Sequence, residues 1–208
     1  MDRPAAPTVS ASEALRRLVE GNGRFVAGTS VQPPPTHDRL VRLAEGQHPF
    51  ATILGCSDSR VPPELLFDQG LGDLFIVRVA GNVIGTEVLG SLGYALAHLA
   101  TPLFVVLGHE GCGAVQAALE ARRGGGQEHG PLAALVGAIG PALEAIDPRD
   151  PPDRQLERAV EANVRSAVRD LAATPAGCTA LAQGRTTLVG AVYELTTGRV
   201  RLLDADRL

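Results

Sequence analysis

The chain has 208 residues, 45% of them hydrophobic, which is enough for one sizeable core. Its formal charge of −4, with 19 scattered arginines and no lysine, argues against a nucleic-acid or polyanion binder. No charged-then-apolar leader opens the chain, and no apolar run approaches the roughly 20 residues of a membrane helix. A cytoplasmic protein with no membrane partner is expected. The odd cysteine count (Cys56, Cys112, Cys178) points to reduced thiols rather than a disulfide framework.

Residues 1–9 are polar and Pro-rich and are expected to be disordered. Residues 10–28 read as a helix: Ser10 and Glu13 have capping-box spacing, and Leu15, Leu18 and Val19 form an apolar stripe. The stretch SVQPPPTHD (30–38) reads as an extended loop, because three successive prolines cannot enter a helix. Residues 10–35 thus make an N-terminal helix and arm, expected to pack on a neighbouring molecule rather than on their own sheet.

Short apolar runs then alternate with helical segments. Strands are expected at 50–56, 73–81, 102–109 and 186–195. Helices are expected at 87–100, 114–123, 132–146 (broken near Gly140-Pro141) and 154–173. In the last of these Leu156, Val160, Val164, Ala167, Val168 and Leu171 share a face. Residues 124–131 read as a flexible loop, and Thr197-Gly198 turns the last strand into RVRLLD. This alternation predicts an α/β fold, a largely parallel sheet covered by helices on both faces, in a single domain spanning 1–208.

Two polar clusters end apolar strands. The first is CSDSR, Cys56 to Arg60; the second is HEGC, His109 to Cys112. Parallel strands place their carboxyl ends on one edge of the sheet, where ligands bind. Cys56, Asp58, His109 and Cys112 can therefore converge, and two thiolates, an imidazole and a carboxylate make a plausible tetrahedral zinc set. A buried cysteine alone is usually an apolar filler, and a lone strand-end histidine is usually a hydrogen-bonded core residue. It is the pairing of the two motifs that favours metal. A redox dithiol is the weaker rival, since HEGC lacks a second cysteine at CxxC spacing.

CSDSRVPPE and HEGCGA, with FDQGLGDLFIVRVAGN between them, resemble the β-class carbonic anhydrases, specifically the plant-like branch. The likeness runs from about Leu15 to Asp204. It implies a parallel core of order 2-1-3-4, a homodimer or homotetramer, and one zinc ion held by Cys56, His109 and Cys112. It implies reversible hydration of carbon dioxide to bicarbonate and a proton, with zinc-bound hydroxide as nucleophile. Asp58 and Arg60 would be the catalytic dyad: Asp58 orients the nucleophile and Arg60 keeps the carboxylate off the metal. The closeness of Asp58 to Cys56 in the sequence also raises a pH switch, in which Asp58 could swing onto the metal as fourth ligand in a closed, low-pH state.

By the same resemblance Gln47, Phe75, Ala80, Tyr94 and Gly113 line the substrate pocket, with the Gly113 N–H donating to substrate. Phe75 and Tyr94 would come partly from the partner chain. A related branch regulated by bicarbonate carries tryptophan three residues before the first ligand; here that residue is Ile53, and the chain has no tryptophan. None of His37, His48, His98 or His129 has a spacing that makes it a proton shuttle, and Cys178 reads as a bland thiol. The alternatives are a carbonyl sulfide or carbon disulfide hydrolase of the same fold, or a zinc-binding module without turnover.

Overall fold

The computed structural model describes residues 9–32, 35–125 and 128–204. Most of the stretch expected to be disordered, and part of the 124–131 loop, lie outside that range. Val9 is described, and it packs partly buried against the core.

Helix α1 (Ala11–Val26) opens on Ser10, whose hydroxyl accepts the Glu13 N–H at 3.1 Å. Only half of a capping box forms, because the Glu13 carboxylate turns to Arg16 and Arg17 instead. Helix α2 (His37–Ala44) starts where an extended loop was expected. Thr36 caps it by accepting from the Arg39 N–H, so His37 and Asp38 are helical rather than extended.

Strand β1 (Ala51–Gly55) is followed by the short α3 (Pro63–Leu66) and by β2 (Leu74–Arg78). The apolar run 73–81 therefore stops short of its expected end. Its tail forms a tight turn, Ala80–Asn82, with Gly81 at φ 65°. Helix α4 (Thr86–Tyr94) continues into a π-helical turn at Ala95–Leu99, and Ala100 ends it in the left-handed region. Strand β3 (Leu103–His109) leads into α5 (Gly113–Arg122) and α6 (Gly130–Ile139). After α6 the chain tightens to a 3₁₀ turn at Gly140–Leu143, at the Gly-Pro break. Helices α7 (Pro152–Ala173) and α8 (Pro175–Ala182) precede β4 (Thr187–Tyr193) and β5 (Val200–Leu203).

The sheet order is β2-β1-β3-β4-β5; the first four strands are parallel and β5 is antiparallel. The expected 2-1-3-4 core is thus extended by one edge strand. Alternation along the strands divides the core in two. Ala51, Ile53, Leu103, Val105 and Leu107 pack with α1 and α3. Leu54, Phe104 and Val106 pack with α5, α6 and α7. Gly108 and Gly190 let α7 lie close to the sheet, since a Cβ on Gly108 would stand 2.5 Å from Val164 Cγ2.

Helix α1 corrects the expectation that it packs on a neighbour. Ala14 and Leu18 are wholly buried against the chain's own sheet. Asn22 locks the helix there. Its Nδ2 donates to the carbonyls of Leu66 and Gly198, and its Oδ1 accepts the Val200 N–H. Asp68 ties down the arm that follows: its buried carboxylate accepts from Arg24 Nε and from the N–H groups of Val31 and Gln32.

Candidate metal centre

Strands β1 and β3 are neighbours, with Gly55 opposite Leu107, so Cys56 and His109 leave the same carboxyl edge side by side. Two residues on, Gly111 at φ 60° turns the chain so that Cys112 becomes the N-cap of α5. The result is a buried group in which one Sγ from each of Cys56 and Cys112 and one ring nitrogen of His109 lie within 4.8 Å of one another. All three residues are at most 5% exposed.

His109 is oriented by its other nitrogen. Nδ1 donates to the Glu110 carbonyl at 2.8 Å, which leaves Nε2 as the electron-pair donor. That Nε2 is buried and has no hydrogen-bond partner. A buried polar atom without a partner is costly, and a cation at this point would satisfy it. The donor chemistry fits zinc: two soft thiolates and an imidazole, the sulfurs balancing a double charge.

The electrostatics follow from the crowding of the sulfurs. The Cys56 thiol is pushed down, first because Cys112 donates to it and then by His109 and backbone N–H groups. Cys112 is pushed up, since Cys56 carries the charge that the two would share and burial opposes a second one. Burial alone would lower His109, but the negative charge of the adjacent Cys56 sulfur prevails and raises it.

Asp58 stands over this group with Oδ2 3.8 Å from His109 Nε2. Arg60 grips it through both oxygens, Nε to Oδ1 at 2.9 Å and Nη2 to Oδ2 at 2.7 Å, and the Arg60 N–H adds a third bond to Oδ1. This bidentate pair holds the Asp58 carboxyl well below the usual carboxylate range.

Not every expected pocket residue joins the cluster. Ala80 immediately precedes Gly81, whose N–H meets Cys56 Sγ, and Gly113 follows Cys112 in the first turn of α5. Phe75, however, pairs with Thr52, four residues short of Cys56, which is about 13 Å along the strand. It lies instead beside Tyr94, with ring centroids 6.1 Å apart, and Tyr94 stacks on His98 at 4.9 Å. Tyr94 is 46% exposed. Gln47 is exposed in the loop before the amino end of β1. Within one chain these three residues lie apart from the Cys56–His109–Cys112 cluster.

The structure adds Arg78, which the strand pattern had absorbed. Its Nε donates to the Cys56 carbonyl at 2.9 Å and its Nη2 to the Asp58 carbonyl at 2.6 Å, clamping the CSDSR loop from the end of β2. A lone arginine inside the apolar run FIVRVAG was its one visible signal.

Residues 51–200 match the family model described as carbonic anhydrase. The chain belongs to the β-carbonic anhydrase family. It is 42% identical over 199 residues to carbonic anhydrase 2 of Mycobacterium tuberculosis, covering 95% of each chain. To a carbonic anhydrase of Mycolicibacterium smegmatis it is 40% identical over 200 residues, covering 94% of this chain and 95% of that one. The solved structure of the β-carbonic anhydrase CcaA superposes with a TM-score of 0.75 at 30% identity, covering 93% of this chain and 96% of that one. Membership places the chain in an enzyme class, the carbonic anhydrases. Among the described residues no helix is long and apolar enough to cross a membrane.

Proposed function

We propose that the protein catalyses the reversible hydration of carbon dioxide to bicarbonate and a proton, with one zinc ion held by Cys56, His109 and Cys112. The observation that carries this reading is the buried Cys-His-Cys group with an orphaned His109 Nε2 and a restrained carboxylate 3.8 Å away. Zinc, when bound, supplies the Lewis acid that makes a water nucleophilic near neutral pH.

The chain's own residues do the rest. Asp58 turns Oδ2 toward the ligand group, where it accepts a hydrogen bond from the attacking water and aims the water's lone pair at the carbon. Arg60 occupies both carboxylate oxygens, so Asp58 orients rather than ligates. That orienting dyad favours an enzyme over a structural zinc module, which has no use for it. Gly113 opens α5, and its N–H is one of the first-turn amides that lack a helical acceptor. It donates to the oxygen on which negative charge develops.

The aromatic wall comes from a second copy. Phe75 and the half-exposed Tyr94 form one patch away from their own chain's ligands. A homodimer in which that patch and Gln47 face the partner's ligand group accounts for their placement.

Stopped-flow carbon dioxide hydration between about pH 6.5 and 9, the range in which zinc-activated water titrates, tests the reading when metal content is measured on the same sample. Activity with about one zinc per chain is expected. Full zinc without hydration at any pH would refute it. Light scattering tests the dimer: a monomer with full activity would remove the second copy from the pocket.

A further inference from the structure

The turn that follows β2 lies on one of the ligand sulfurs. The Gly81 N–H donates to Cys56 Sγ at 3.4 Å. Gly81 holds this approach with φ 65° and ψ 16°, a left-handed conformation that glycine adopts without strain. No side chain fits there: a Cβ would stand 2.8 Å from Ile139 Cδ1 and 3.1 Å from Ala114 Cβ.

What fixes Gly81 comes from across the fold. Asn163, midway along α7, donates from Nδ2 to the Gly81 carbonyl at 2.8 Å. Asn163 is 5% exposed and shares its helix face with Val160, Val164 and Ala167. An apolar residue would suit that face better. Asparagine is a poor residue for a helix interior, and a buried amide is costly unless it is bonded. The residue it bonds is the one that touches the metal-ligating sulfur.

We propose that Asn163 is a positioning residue for the metal centre, acting through Gly81 to hold an N–H on Cys56 Sγ. The inference rests on the zinc reading above. With the carbonyl anchored, the turn cannot rotate its N–H away, and the sulfur keeps both its direction and its charge balance. Partners of this kind around metal ligands typically account for about 10- to 100-fold in metal affinity.

The test uses the full chain, stripped of metal, with Asn163→Leu (near-isosteric, no donor) and Asn163→Ala. Zinc affinity is read by competition with a chromophoric chelator, and the cobalt-loaded protein reports the thiolate-to-metal charge-transfer band. Leu171→Ala, at the far end of the same helix, supplies a variant destabilised without contact to Gly81. The expected result is zinc binding weakened about tenfold or more in both Asn163 variants, with a shifted cobalt band, and neither change in Leu171→Ala. Zinc affinity within twofold of wild type and an unmoved band would overturn the proposal alone. An equal loss in Leu171→Ala would also overturn it, by making the effect one of stability. Failure of the wild-type chain to bind zinc would overturn it together with the zinc reading.

Discussion

Arg78→Ala should loosen the ligand loop without touching a ligand. Arg78 makes two charge-assisted hydrogen bonds, to the carbonyls of Cys56 and Asp58. Bonds from charged donors contribute about 1.5–3 kcal/mol each when protected from water. Arg78 is exposed, so solvent screening cuts that to about 1 kcal/mol apiece. Both bonds brace the loop that carries Cys56 and Asp58, so about 2 kcal/mol is at stake, or roughly a 30-fold loss in zinc affinity. Chelator competition on the metal-free chain measures it directly. Affinity within a factor of two of wild type would mean that β1 and α3 hold the loop unaided, and the clamp argument would fail. Arg78→Lys should recover only part of the loss, because a single ammonium cannot span two carbonyls as a planar fork does.

Asn22→Ala removes three hydrogen bonds between α1 and the body. At about 1 kcal/mol each the chain should lose about 3 kcal/mol in urea unfolding; a loss under 1 kcal/mol would show that α1 docks elsewhere. Asp58→Asn should keep one zinc per chain while carbon dioxide hydration falls about a hundredfold, the scale on which a misaimed nucleophile costs rate; undiminished turnover would remove Asp58 from the mechanism. Asp68 gives a pH signature. Burial pushes its carboxyl up, but Arg24 and the N–H groups of Val31 and Gln32 outweigh burial and hold it below the ordinary 3.8. A depressed value in the folded state means that its contribution is complete above the ordinary value and lost as pH falls through the folded one. Asp68→Asn should therefore flatten the decline in stability at acid pH below about 4, and an unchanged slope in stepped-pH urea unfolding would refute the assignment.

The Cys56–His109–Cys112 cluster was legible because both motifs follow apolar runs, and parallel strands deliver their ends to one edge. Cys56 and His109 needed nothing more than that. The braces behind them were not legible. Arg78 bonds to carbonyls, which every residue possesses, so no motif marks its partners. Asn163 reaches Gly81 across 82 positions of sequence, again through a backbone group. Helix α2 is hidden by the prolines before it; Thr36, the residue that caps it, is the one cue. The docking of α1 on its own sheet turns on Asn22, a polar residue beside an apolar stripe, whose bonds run to segments that the stripe does not predict. The 73–81 run reads as strand throughout, yet β2 ends at Arg78 and the chain turns away through Gly81 and Asn82, both left-handed.

The locking of α1 also has a consequence for biosynthesis. Asn22 receives the Val200 N–H from a residue 178 positions downstream. At about 5–20 residues per second, the ribosome reaches that partner some 9 to 36 seconds after it has made Asn22. Throughout that interval Leu18 and Ala14 have no completed sheet to cover them. The first helix to emerge is thus among the last to be fully secured: its apolar partners in α3 and β3 are made early, but the edge strand that completes its lock comes last.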